Sequence, residues 1–374
     1  MTKSDAGTAG GAGPFAAWPA YLMVLLVLLA AIYSFSHRPP PPFPPTAIYP
    51  DRLLVNGLAQ SGSRLVAAGE LGHILIADGP DGPWRSAKVE PDRGSTFTRA
   101  AFIDAKTALA VGHDGVIVRS ADGGETWKEV AFDAQRPDPL LGIAGPFDGK
   151  LFAFGAFGLF LTSADQGQTW QPATLAIEGE EAVAAAPAAE ADPNADPFAN
   201  FSETPTDSSA DRHLNAMIGV PDGSLLLVGE RGLVLQSRDS GATWSKLDTG
   251  YTGSFFGALA LADNRLLAYG MRGNAFVSAD LGKTWQKAET PGTVSLFSGV
   301  VLPSGAVVLV GDNNTVLVSR DGGAHFSVSS AAEHSGLAAG LAEVIALPDG
   351  SLLTAGDGGI VRRTLAAAPA GAQP

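Results

Sequence analysis

Ser120-Ala-Asp-Gly-Gly-Glu-Thr-Trp127 decides the fold, because it recurs. The pattern Ser-x-Asp-x-Gly-x-Thr-Trp returns at residues 163–170, 237–244 and 278–285. A fifth copy at 319–326 has His325-Phe326 in place of Thr-Trp, and a degenerate copy at 78–84 precedes them all. A polar turn closed by a large aromatic residue and repeated at fixed spacing is the signature of a repeat architecture.

Working outward from each turn, an apolar stretch ending in glycine comes shortly before it, at Gly69, Gly112, Gly155, Gly229, Gly270 and Gly311, and once more at Gly356. The separations are 43, 43, 74, 41, 41 and 45 residues, so one interval carries an insertion of about thirty. Within one unit the pattern reads as four strands, near 97–102, 108–111, 116–120 and 127–130, with turn residues between them. Units of this length with four short strands each are propeller blades, since radial closure leaves no long exposed edge. Seven units predict an all-β, seven-bladed β-propeller over residues 46–366. The last unit shows only three strands, so residues 46–49 are expected to supply its outer strand and close the ring, with residues 364–367 as the alternative.

Composition agrees. Of 374 residues 45% are hydrophobic and 17% charged, enough for a large core, while 46 glycines and 26 prolines are too many for a helical protein. The net charge of −14 gives a surface that repels phosphate backbones, which argues against a nucleic-acid partner. With no cysteine there is no disulfide, thiolate zinc site or thiol nucleophile.

The amino-terminal region reads differently. After a disordered start (1–13), residues 14–36 carry no charge and are largely aliphatic, with Trp18, Tyr21 and Tyr33 near the two ends. A single transmembrane helix is expected there, with a cleaved signal peptide as the competing reading. Residues 37–45, mostly proline, read as an extended stalk, and residues 367–374 as a disordered tail.

The recurring turn resembles the Asp-box (BNR repeat) of sialidase-type propellers. Its lead-in resembles the photosystem II stability/assembly factor family over residues 52–363. The resemblance implies a structural role for Asp122, Asp165, Asp239, Asp280 and Asp321, and interblade packing for Trp127, Trp170, Trp244 and Trp285. It further implies a membrane-anchored accessory or assembly subunit, with bacterial relatives accompanying RND-type permeases. From that come a membrane-complex partner and an inner-membrane, periplasmic location.

Catalytic patterns are missing from the sequence. The arginine triad and Tyr/Glu pair that a sialidase-like hydrolase needs are not apparent, and Tyr251 is the best-placed tyrosine in a loop. The six histidines lack metal-ligand spacing, and the glycine-rich turns precede no helix, so no cofactor, metal or small-molecule substrate is expected. A glycan-binding or sialidase-like propeller is the alternative to the binding role.

Partner recognition is expected on the face bearing the blade-to-blade loops. There the insertion at 178–211 carries nine acidic and no basic side chains, which predicts disorder, with Phe198 and Phe201 as apolar anchors. Arg93, Arg136, Arg231 and Arg272 are expected on the same face, and counting back from the blade glycines puts Asn56, Arg99, Ser298 and Glu343 on the axial channel.

Overall fold

The computed structural model of the chain describes residues 18–35, 50, 52–180, 209–329 and 339–365. It divides into two units, Met1–Ala47 and Ile48–Pro374, each taken by itself.

Among the described residues the first unit contributes one helix, α1 (Trp18–Phe35), apolar around its circumference and free of charge. At 18 residues it spans ~27 Å, against about 30 Å of bilayer hydrocarbon. Among the described residues no helix is long and apolar enough to cross a membrane, so the helix falls short of the span expected over 14–36. The expected stalk, both disordered termini, residues 46–49, Phe198 and Phe201 lie outside the described residues.

The second unit is a seven-bladed β-propeller made of seven antiparallel sheets in chain order. Blade 2 shows the plan: Phe97–Phe102 lies innermost, followed outward by Ala108–Gly112, Ile117–Ser120 and Thr126–Ala131. The second strand of every blade is buried along its length, apart from the half-buried Arg64 and Lys150 that begin two of them, because its alternate residues face different neighbours. In blade 1, Leu65 and Ala67 pack toward blade 7, whereas Val66 and Ala68 pack toward blade 2. A strand covered on both sides reads as an unbroken apolar run, which is how these segments appear in the sequence. Seven interblade cores follow, and the one joining Leu347, Leu353 and Ala355 to Val55, Leu58 and Leu65 closes the ring.

Among the described residues blade 7 has three strands, Leu341–Ala346, Leu352–Gly356 and Gly359–Arg363. Of the alternative closing segment 364–367, Thr364 and Leu365 are described and are not in a strand. The Ile360 amide, on the outermost described strand, donates to the Pro50 carbonyl at 3.1 Å. Arg362 also bridges Asp349 of its own blade and Asp81 of blade 1.

Three linkers do something the sequence did not disclose. Lys88–Glu90 pairs parallel to Thr126–Lys128 on the outer edge of blade 2, Ile177 pairs with Trp244 on blade 4, and Glu289 with His325 on blade 6. An edge covered in this way no longer offers unpaired amides to another chain. The segment leading to the insertion therefore does not leave directly from the loop face. Leu175 and Ile177 are core residues, and the Glu180 carboxylate accepts from the amide (3.2 Å) and hydroxyl (2.8 Å) of Ser209, tying the two ends of the insertion together.

Candidate functional site

The propeller has two faces of different character. The recurring octapeptide joins the third and fourth strands at one end. In the copy at 120–127 the Ser120 hydroxyl donates to Asp122 Oδ1 (2.8 Å) and accepts the Gly124 amide (2.9 Å). The Asp122 carboxylate in turn accepts the amide (3.0 Å) and hydroxyl (2.6 Å) of Thr126. The same carboxylate contacts recur at Asp165, Asp239 and Asp280 with Thr169, Thr243 and Thr284, and at Asp321 with His325. Hydrogen bonds from the Thr243 hydroxyl and amide hold Asp239 down to about 2, and those from the Thr284 amide and hydroxyl do the same for Asp280. Trp127, Trp170 and Trp285 each donate their indole N–H to the glycine carbonyl three residues earlier; buried Trp244 has no such partner among the described residues.

These turns are also the places where each of the first five blades grips the next. Arg64 reaches Glu125, Arg119 the Gln166 carbonyl, Lys150 the Ser240 carbonyl, Gln236 the Leu281 carbonyl, and Arg265 the Asp321 carbonyl. The recurring aspartates on this face are satisfied within their own turns, and Glu125 is taken by Arg64 and Arg85 of the neighbouring blade.

The opposite face is built from the turns between second and third strands. Each of the first six contains a non-glycine residue with left-handed backbone: Leu71, Asp114, Phe157, Arg231, Arg272 and Asn313, with φ between 51° and 59°. Such a conformation costs about 1–2 kcal/mol for a bulky side chain. Leu71 and Phe157 nonetheless adopt it while 65% and 59% exposed, so burial does not offset that cost. Backbone strain at exposed apolar side chains is a reason to look for function there. Two of the turns are braced by the linker that enters their own blade: Arg136 and Arg212 donate to the carbonyls of Phe157 and Arg231. His213 sits edge-on to Phe157 with ring centroids 4.9 Å apart.

Of the arginines expected on this face, Arg231 and Arg272 stand at tips of these turns, exposed. Arg93 and Arg136 lie in the linkers and are committed to neighbours. Arg93 pairs with Glu129 and lies 3.8 Å above the Phe132 ring, and Arg136 pairs with Asp138 at 2.7 Å. Tyr251 is built into the structure as well. Its hydroxyl donates to the Met271 carbonyl (3.2 Å) and accepts from Asn274 (3.3 Å), and its ring packs against Phe255 and Phe276.

Between the faces runs the axis, and its lining follows from a bulge repeated in all seven innermost strands. The register shifts between Val55 and Gly57, Phe97 and Arg99, Leu140 and Gly142, Leu214 and Ala216, Phe255 and Gly257, Leu296 and Ser298, and Leu341 and Glu343. A bulge re-aims the residues on either side of it. The residue after the bulge is therefore Gly57, Arg99, Gly142, Ala216, Gly257, Ser298 or Glu343 around the ring, and six of these seven line one axial cavity of about 170 Å³. Because the bulge adjoins the strand end that leads into the left-handed turns, the cavity lies toward that face.

Arg99, Ser298 and Glu343 are thus brought together. The Glu343 carboxylate accepts from Ser298 Oγ, pairs with Arg99 and accepts the Val344 amide at 3.2 Å. Asn56 differs: the first hairpin of blade 1 is one residue shorter, so counting back from Gly69 lands on the bulge residue itself. Its amide donates to the Phe97 carbonyl of the next blade (2.9 Å), as Thr98 does to Leu140 (2.7 Å) and Asn215 to Phe255 (2.7 Å).

Sequence reading missed the rest of the lining, chiefly Tyr269, Phe256, Phe297 and Phe154. The glycines were the available signal. A Cβ on Gly257 would overlap the Tyr269 hydroxyl, and one on Gly142 would overlap the Phe154 ring, so these rings fit against the axis only where the neighbouring strand lacks a side chain. Burial pushes the Tyr269 pKa up and pulls that of Arg99 down. Tyr269 and Glu343 share the cavity, but a raised hydroxyl pKa is the opposite of what a nucleophile needs, and the lining holds one arginine rather than three. Among the described residues no group of three histidines or carboxylates could hold a metal ion.

YCF48 bound to D1 peptide aligns with a TM-score of 0.63 at 14% identity, over 86% of this chain and 96% of that one. The fold is YCF48-like. YCF48 from Cyanidioschyzon merolae gives a TM-score of 0.63 at 13% identity over 84% and 97% of the two chains, and streptogramin B lyase 0.64 at 11% over 86% and 96%. No protein-family model and no curated protein matches this chain. At such identities the likeness is one of fold, shared by propellers with different tasks.

Proposed function

We propose that this chain is a non-enzymatic binding or assembly subunit that recognises a protein partner through the face bearing the left-handed turns. The observation that carries the reading is the pairing of strain with exposure at Leu71 and Phe157, beside the exposed Arg231 and Arg272. Aromatic side chains and arginines, here Phe157 with Arg231 and Arg272, are enriched at the anchors of interfaces. On the opposite face the recurring aspartates are held within their own turns, and Arg64, Arg119, Lys150 and Arg265 are committed to the neighbouring blade. The YCF48 structure with a D1 peptide supports a peptide- or protein-binding role for a propeller of this shape.

The finer reading is an accessory subunit of a membrane complex held at the inner membrane with the propeller in the periplasm, its partner an RND-type permease. The uncharged amino-terminal helix supports membrane attachment, and the sequence resemblance alone supports the permease. Detergent solubilisation from the native cells with a carboxyl-terminal tag tests both levels. A partner that co-purifies with the wild-type chain and is lost from a Leu71→Asp/Phe157→Asp variant supports the binding face. Equal recovery with both chains counts against it, and a partner other than a membrane permease counts against the finer reading only.

A further inference from the structure

The axial cavity has a chemistry that the protein-binding face does not use. Glu343 is saturated by Arg99, Ser298 and the Val344 amide. Arg99 is not saturated: among the described residues Glu343 is its one ion-pair partner, and 27% of its side chain is open to solvent. A guanidinium carries five N–H donors in a fixed plane, so donors remain for the cavity. Tyr269 adds a neutral hydroxyl donor, only 4% exposed as a residue, whose pKa burial raises further. The wall beside them is aromatic, with Phe256 and Phe297 at a centroid distance of 5.3 Å and tilted by 41°. Phe154, Met217 and Leu259 extend it.

The site thus presents spare donors, a paired and neutral set of charges, and an apolar wall. A carboxylate ligand would bring an uncompensated charge into a buried site, which costs far more than burying a carbonyl that finds donors. A purely apolar ligand would leave the donors without acceptors. We infer that the axial cavity binds a neutral small molecule with one aromatic or unsaturated ring and a carbonyl acceptor. The ring would lie on Phe256 and Phe297, and the carbonyl oxygen would accept from Arg99 and Tyr269. A cavity of about 170 Å³ accommodates a body of that size and little more. This site is independent of whether the turn face docks a protein.

The test is ¹⁹F NMR titration of the full chain with 4-fluorobenzamide, 4-fluorobenzoate and 4-fluorotoluene. Saturable binding of the amide is expected, with the acid and the toluene weaker by about tenfold or more. Tyr269→Phe keeps the ring and removes one donor, and should weaken the amide several-fold while leaving the toluene unchanged. Ala216→Leu fills the cavity from blade 4 and should abolish binding of all three. If Ala216→Leu does not fold, the amide-to-acid ratio and Tyr269→Phe decide alone. No saturable amide binding up to about 10 mM, an acid bound as well as the amide, or indifference to Tyr269→Phe would overturn the inference.

Discussion

Arg99 of the second blade and Glu343 of the seventh form an ion pair past the innermost strand of the first, whose Gly57 lies so close to the Arg99 backbone that a Cβ there would press on it. The pair joins blades that are not neighbours, so it reports on closure of the ring. Removing one partner leaves a charge in a largely dry site, whereas removing both does not. Arg99→Met should destabilise the propeller by about 3 kcal/mol, and Arg99→Met/Glu343→Met by clearly less. Chemical denaturation of the two single variants and the double variant measures the coupling; additive effects would contradict it.

Trp127 and Trp244 occupy equivalent positions, yet only Trp127 has its indole N–H bonded, to the Gly124 carbonyl at 2.8 Å. Both are fully buried. Trp127→Phe should therefore cost about 1–2 kcal/mol more than Trp244→Phe, since it strands an acceptor whereas the second change removes an unpaired donor. Thermal unfolding of the two variants side by side provides the comparison.

Acid should loosen the octapeptide turns together. The folded-state pKa values of Asp239, Asp280 and Asp321 lie at about 2, below the ordinary aspartate value of 3.8. For Asp321, burial opposes the shift and hydrogen bonds from Ser319 and His325 prevail. Groups with a depressed folded pKa stabilise fully above the unfolded value and lose that stabilisation as pH falls through the folded one. The melting temperature should thus drop between about pH 4 and pH 2, less steeply when Asp239→Asn and Asp280→Asn are combined.

The sixth blade should respond at the other end of the scale. His325 stands where the other turns have threonine, with Nδ1 2.6 Å from Asp321 and Nε2 3.8 Å from Glu289. The Asp321 hydrogen bond and charge raise its pKa above 6.5, with Glu289 adding to the effect. A raised folded pKa gives stability that is complete below 6.5 and is lost as pH rises through the folded value. His325→Thr should erase that alkaline decline without otherwise altering the blade. Hydrogen exchange at residues 319–326 between pH 6 and pH 9 resolves the two.

What the sequence disclosed follows from its periodicity. The blade count was legible because each second strand is buried on both sides, so its apolar run and closing glycine stand out, as at Val66 to Gly69. Arg99, Ser298 and Glu343 fell on the axis by simple counting because their blades share one hairpin length. Asn56 did not, since a two-residue turn at Gly62-Ser63 shortens blade 1 by one position. The aromatic wall stayed hidden because Phe256 and Phe297 are bulge residues, and a bulge leaves no mark on alternation. Lys88–Glu90, Ile177 and Glu289 looked like linker for a similar reason: one to three residues pairing with a distant edge carry no local pattern. Strain at Leu71 and Phe157 is a matter of backbone angles, which neither residue type announces.

Recognition through the face of left-handed turns predicts a pattern that site-specific photocrosslinking in native cells reads out. A photoreactive residue at Phe157 should give one discrete crosslinked species, and the same probe at Lys283, in an octapeptide turn on the opposite face, should give none. Discrete crosslinks from Lys283 with none from Phe157 would contradict the account.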